Sequence, residues 1–165
     1  HQQARDWGDP ALSAAFEQQA FLRIAEALSA GSGDTRALLD FLPELDPLAN
    51  WFESLDRLAL LPDDTLVLPA HELPYYGIHA RVAQLHAHHA QQFETLRGFC
   101  RADTLTAHAA AMQLFPHCNG AMDELMAMGE CLAHLTYLRR RGEIERTLDA
   151  QGCYRFSMRA ADTAS

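Results

Sequence analysis

The sequence predicts a mainly α-helical fold, with one short isolated strand and a C-terminal winged-helix-like β-hairpin, on three observations. Apolar residues recur at steps of three and four through most of the chain, from Leu12 to Leu138. Only two stretches, 65–68 and 143–156, carry β-type patterning. Residues that stop or cap helices fall between the apolar runs, at Gly31-Ser32-Gly33, Pro43, Asp46-Pro47, Pro62, Gly77 and Gly142. About six helices in three segments are expected: a helical N-terminal segment over 1–45, a helix, strand, turn and long helix over 46–100, and a winged-helix-like tail over 101–158.

The elements follow in order. Asp9-Pro10 caps and starts a first helix, and Leu12, Phe16, Ala20, Ile24 and Leu28 form its single apolar stripe. After the glycines at 31 and 33, Asp34 caps a short helix with Leu38, Leu39 and Phe41, which Pro43 ends. Asp46-Pro47 repeats the cap-and-proline start for a helix with Leu48, Trp51, Phe52, Leu55 and Leu58 on one face. Thr65 to Leu68 is a short β-branched and apolar run ended by Pro69, which predicts a buried strand. His71 stands just past that strand end, where loops hold histidines with a free nitrogen.

The helix after Gly77 aligns Ile78, Val82, Leu85, His89, Phe93 and Leu96. His89 thus lies in an apolar stripe, and a histidine-rich packed helix satisfied by hydrogen bonds is the favoured account of His86, His88 and His89. His86 and His89 have metal-ligand spacing but no visible third ligand. His79 is the better candidate for approaching His71, because the turn 73–77 brings the helix start back beside the strand end. Thr104 or Thr106 caps a short helix to Phe115, and a second runs from Met122 to Gly142. Glu130 and His134, four apart, read as a surface pair. Asp149-Ala150-Gln151-Gly152 supplies the turn of the closing hairpin.

Composition removes several functions. Of 165 residues, 48% are hydrophobic and 21% charged, enough for a true core. Thirteen basic against 22 acidic residues give a net charge of −9, which disfavours nucleic acid. The winged-helix pattern alone would suggest DNA binding, but the helix that would enter a groove begins with Asp123, Glu124 and Glu130. Arg139-Arg140-Arg141 lies at its far end, where it meets the helix dipole. Four cysteines without a CxxC pair read as apolar fillers in a reducing compartment, the cytoplasm. No run approaches the ~18 apolar residues of a membrane span. The chain opens at His1, so a trimmed or partial gene product is expected.

Several stretches together carry a family resemblance: Asp46-Pro47-Leu48 with its helix, Leu66-Val67-Leu68-Pro69-Ala70-His71, Pro74-Tyr75-Tyr76-Gly77-Ile78-His79-Ala80-Arg81, and His88-His89. Over about 46–156 the chain resembles the C-terminal portion of the metallo-β-lactamase-fold hydrolases, in which a strand ending in Leu-Pro-Gly-His or Leu-Pro-Ser-His presents the last metal-binding histidine. The resemblance implies that His71 is that metal ligand and that zinc or another divalent metal serves the complete fold; His79, by its place beside the strand end and not by the resemblance, is the further metal candidate, one that orients His71. The family's His-x-His-x-Asp-His motif, further histidine and bridging aspartate are absent from this sequence, and Glu72 stands where glycine usually follows the ligand histidine. A metal-dependent hydrolase portion that is not competent alone and does not bind the catalytic metal tightly is therefore expected. A non-enzymatic helical interaction module is the alternative, and DNA binding the weakest. A homodimer is expected, because the apolar stripe with Trp51, Phe52, Leu55, Val82, Leu85 and Phe93 lacks the sheet that would cover it.

Overall fold

The structure, a computed structural model, describes residues 46–70 and 72–160. The two helices expected within 1–45 lie outside the described residues, and so does His71. The account below concerns one unit, residues 46–147 with 155–160; the hairpin-tip residues 148–154 belong to a second unit and are treated by themselves.

Four helices and three strands are present among the described residues: α1 Pro47–Leu58, α2 Ile78–Ala102, β1 Leu105–Thr106, α3 Ala107–Leu114, α4 Ala121–Arg140, β2 Ile144–Leu148 and β3 Tyr154–Met158. The fold is mainly helical with a C-terminal hairpin, as the spacing of apolar residues predicts. Helix α1 starts where its sequence says, because the Asp46 carboxylate accepts from the Ala49 amide at 3.1 Å and Pro47 occupies the first turn. Leu55 of α1 packs with Ile78 and Val82 of α2, and Phe52, Ala59, Val67 and Leu85 close around them. The stripe that the sequence leaves uncovered is thus largely closed by α1 and α2 on each other. Leu55, Val82 and Phe93 are buried, and Trp51 stays 46% exposed.

The strand expected at 65–68 shrinks to one antiparallel bridge between Val67 and Tyr75, with two backbone bonds of 2.8 and 3.1 Å. Leu66 and Leu68 are exposed rather than buried. A lone bridge brings no second layer, so Leu66 and Leu68 keep much of their surface in water. Gly77, at φ 88°, turns the chain into α2 in the left-handed region. Helix α2 lacks a capping side chain of its own, and Asp63 supplies one from a distance by accepting from the His79 amide at 3.1 Å.

Thr106 caps α3 by accepting from the Ala109 amide. It also belongs to β1, a two-residue strand absent from the sequence expectation, which pairs antiparallel with β3 as Leu105 with Phe156 and Thr106 with Arg155. The sheet order is β1-β3-β2. Helix, short strand, two helices and a hairpin form a winged-helix-like arrangement. Its core takes Leu96 and Cys100 from α2, Ala110 and Ala111 from α3, Cys131, Leu135 and Leu138 from α4, and Ile144 and Phe156 from the sheet, all buried. At the tip, the Asp149 side chain accepts from the Gln151 and Cys153 amides, and Gly152 takes φ 80°. No described helix is long and apolar enough to cross a membrane.

Candidate functional site

Two places hold histidines in defined surroundings. The first is the turn between Val67 and Gly77. His71 lies outside the described residues, but Glu72 beside it has φ 72°, the only non-glycine residue with positive φ among those described. A left-handed backbone where glycine would be free of strain fits a turn shaped for glycine and kept with glutamate. His79, on the first turn of α2, places Nε2 2.8 Å from the Leu61 carbonyl and Nδ1 3.6 Å from Asp63. A carbonyl only accepts, so Nε2 carries the proton and ties the helix start to the chain after α1.

The second place lies between α2 and α4. His89 Nδ1 is 3.0 Å from His134 Nε2, and His134 Nδ1 is 2.7 Å from the Glu130 backbone carbonyl. That carbonyl fixes the tautomer: Nδ1 of His134 holds the proton, so a neutral His134 has its lone pair on Nε2 and accepts from His89 Nδ1–H. His134 is fully buried, not the surface partner of Glu130 that the spacing suggests. The Glu130 carboxylate accepts from Gln92 Nε2 at 3.1 Å, and one donor atom each from His89, Glu130 and His134 lies within 4.8 Å of the others. Phe52, Phe93 and Tyr137 pack around the pair, with Phe93 5.1 Å from His134 and Phe52 edge-on to His89 at 5.4 Å.

These surroundings set the protonation. Burial pushes the pKa of His89 down, His134 and His88 add to that, and Glu130 and Gln92 oppose it. Burial also pushes His134 down, against its bond to the Glu130 carbonyl. Two neutral imidazoles and a carboxylate converge, a donor set able to hold a divalent ion or pass a proton. His86 and His88, from the same histidine run, go elsewhere: His86 stacks on Phe52 and meets Asp56 at 3.2 Å, and His88 lies outside the three-donor group, its ring 5.5 Å from that of His89.

Glu130 also lines an open cavity of about 430 Å³ with Phe115, His117, Cys118, Asp123 and Met126. A larger one of about 730 Å³ lies over Phe52, Phe93 and Tyr137, with Arg97 and Arg141 at its walls. Arg97 is held by Glu143 at 2.6 Å and Arg141 by Asp46 at 3.3 Å, so both cations are already paired.

The sequence showed His86 and His89 with ligand spacing and no third partner, and it showed Glu130 and His134 four apart. It did not show that His89 of the first pair meets both members of the second. The signal was a titratable residue inside an apolar stripe, His89 among Val82, Leu85 and Phe93, and a second one, His134, between Cys131 and Leu138 on the other long helix.

Residues 93–159 match the family model described as Metallo-beta-lactamase-like, C-terminal domain. Among solved structures, a beta-lactamase domain protein from Burkholderia ambifaria is 36% identical with a TM-score of 0.68, over 73% of this chain and 36% of that one. A metallo-beta-lactamase family protein from Thermus thermophilus is 32% identical with a TM-score of 0.59, over 69% of this chain and 34% of that one. The chain therefore spans about a third of the length of these solved relatives. No curated protein matches it.

Proposed function

We propose that this chain, which carries the C-terminal portion of a metallo-β-lactamase-like fold, serves as that portion of a metal-dependent hydrolase and does not complete a catalytic site by itself. The observation that carries this reading is the agreement of the family match with backbone similarity to two solved proteins of that family. In such a hydrolase a divalent ion, zinc or a similar metal, lowers the pKa of a bound water and polarises the scissile bond. This chain's contribution is His71 as one ligand, by its motif, and His79 as the residue that anchors the turn beside it. The described residues around that turn do not assemble a ligand set: His79 spends Nε2 on the Leu61 carbonyl, and the three-donor group lies on α2 and α4.

The test has two arms. The chain alone, given zinc and a panel of thioester, lactone, lactam and phosphoester substrates, is expected to show no turnover above buffer. A chimera in which this chain replaces the matching segment of the Burkholderia ambifaria protein is expected to lose metal and activity on His71→Ala. Turnover by the chain alone, or a chimera indifferent to His71→Ala, overturns the reading. The four cysteines are free thiols, which supports a reducing, cytoplasmic setting.

A second reading, assembly into a homodimer, is favoured by one observation: Leu60, Leu68, Leu73 and Tyr76 are exposed together in the segment after α1. Burying them against a second copy recovers about 25 cal/mol per Å². Light scattering at micromolar concentration is expected to give twice the 18.4 kDa chain mass, and a monodisperse 18.4 kDa species rejects the dimer. Nucleic acid has no place in either reading, since α4 opens with Asp123 and Glu124.

A further inference from the structure

We propose that His89, His134 and Glu130 form a binding site for a divalent transition-metal ion of the zinc class, separate from the turn that holds His71, and that the ion clasps α2 to α4. Two imidazoles and one carboxylate are the ligand types that zinc, cobalt and nickel take together with a water in the fourth position. Their donor atoms already lie within 4.8 Å of one another, so closing on an ion that holds its ligands ~3.3 Å apart asks for an inward shift of side chains and no movement of the helices.

His134 is built as a ligand. Its far nitrogen donates to the Glu130 carbonyl at 2.7 Å, the bond that in metal sites fixes a histidine's tautomer and aims the other nitrogen at the ion. Burial keeps both imidazoles neutral, the form a metal binds. Without an ion, His89 Nδ1–H occupies the lone pair of His134 across 3.0 Å. With one, the proton of His89 moves from Nδ1 to Nε2, so both inner nitrogens present lone pairs and the count of bound protons is unchanged. At ~2.05 Å from a tetrahedral ion two nitrogens stand ~3.3 Å apart, so the rings need open by only a few tenths of an ångström and turn their lone pairs to one point. His89, half-buried, has the freedom to make that turn.

Gln92 gives an independent sign. It is 8% exposed and donates to the Glu130 carboxylate, while its Oε1 is the one buried side-chain polar atom without a partner among the described residues. A buried orphan acceptor is costly, and a water on the ion would bring the missing donor to this corner. Glu130, half-buried, also lines an open cavity, so solvent reaches the donor group at this residue. The competing account is a packed histidine pair sharing a proton, which explains the 3.0 Å contact and the pull of Gln92 on the His89 ring, but leaves Gln92 Oε1 without a well-formed hydrogen bond.

The experiment titrates Co²⁺ and Zn²⁺ into the full chain after chelator treatment, following visible cobalt absorption, stoichiometry and Tm. One ion per chain is expected, with a Tm increase and an absorption signature of nitrogen and oxygen ligands. His89→Gln and Glu130→Gln, both at half-buried positions, are expected to weaken binding by roughly tenfold or more, and His134→Gln to abolish it. His71→Ala and His79→Ala are expected to leave it unchanged, which separates this site from the proposed hydrolase ligand. Asp56→Asn tests the exposed His86–Asp56 pair as an adventitious site and is also expected to be silent. Absence of binding, binding lost in His71→Ala or Asp56→Asn, or binding that survives both His89→Gln and Glu130→Gln overturns the proposal. If His134→Gln does not fold, those two variants still decide it.

Discussion

Residues 59–77 and the helix-and-sheet region from Leu96 to Phe156 are both rich in large apolar side chains, and they end in opposite surroundings. Leu60 and Leu73 are 84% and 82% exposed, whereas Leu96 and Leu135 are fully buried. The difference lies in the elements available to each. Leu96 and Leu135 have α3, the opposing long helix and a three-stranded sheet around them, while 59–77 has one backbone bridge and the ends of two helices. An apolar residue thus records a demand for cover, and the local supply of secondary structure decides whether the chain meets it. The family match over 93–159 falls on the region that meets its own demand.

The comparison is broken most directly by truncation. Leu135→Ala is expected to cost ~2–5 kcal/mol and Phe156→Ala ~3–5 kcal/mol in urea unfolding, because each leaves a cavity in a closed core. Leu68→Ala and Leu73→Ala are expected to stay within ~0.5 kcal/mol at concentrations too low for two copies to pair. A loss above ~1 kcal/mol at Leu73 under those conditions would show that 59–77 is covered within the chain itself.

Acid sharpens the same contrast, since the buried region holds the shifted histidines. His89 and His134 are harder to protonate in the folded chain than their ordinary value of 6.5, with His88 and Glu130 the charged or titratable neighbours that face them. Below that value the unfolded chain binds more protons than the folded one. The stability present above pH ~6.5 is therefore lost as pH falls toward the folded pKa values. Urea midpoints of chelator-treated protein are expected to drop between about pH 7.5 and 5.5, and the drop is expected to shrink in His134→Gln.

How far the sequence could be read differs between the same two regions. Helix starts at Asp46-Pro47, Gly77 and Thr106 were legible because caps and turns are local chemistry. The strand at 65–68 was legible as β-like but not as exposed, since exposure depends on layers that no local pattern specifies. Leu105–Thr106 went unseen as a strand because two residues have no period, and its partner Phe156 is far along the chain. The His89–His134 contact spans 45 residues and depends on how two helices pack, so spacing within either helix could not reveal it. One helix by itself showed one member of the donor set and the other showed two.

The next effect is smaller and of the opposite sign. Glu72→Gly is expected to stabilise the chain by ~1 kcal/mol, because glycine removes the penalty for φ 72° in the otherwise exposed turn. Equal or lower stability would mean that the turn's strain is compensated by contacts of the glutamate.

Thiol reactivity reads the contrast without perturbing it. Burial pushes Cys100 up to about 11 and Cys131 up to about 12. Brief iodoacetamide treatment of native protein at about pH 8 is expected to label Cys118 and Cys153 and spare those two, as counted by mass spectrometry. Four labels would mean that the closed region opens on the timescale of minutes.

Helix α2 runs unbroken from Ile78 to Ala102, with its first half against α1 and its second half in the sheet-bearing core. An uninterrupted helix transmits rotational phase, because each added residue turns everything beyond it by ~100°. One extra residue near Ala87 would swing Phe93, Leu96 and Cys100 a quarter-turn or more away from their partners, while leaving Ile78 and Val82 in place. Seven extra residues would return the face to within ~20° and lengthen the rod by ~10 Å. The two halves of this chain are therefore geared to each other, and changes of length between them are tolerated in whole heptads and not singly.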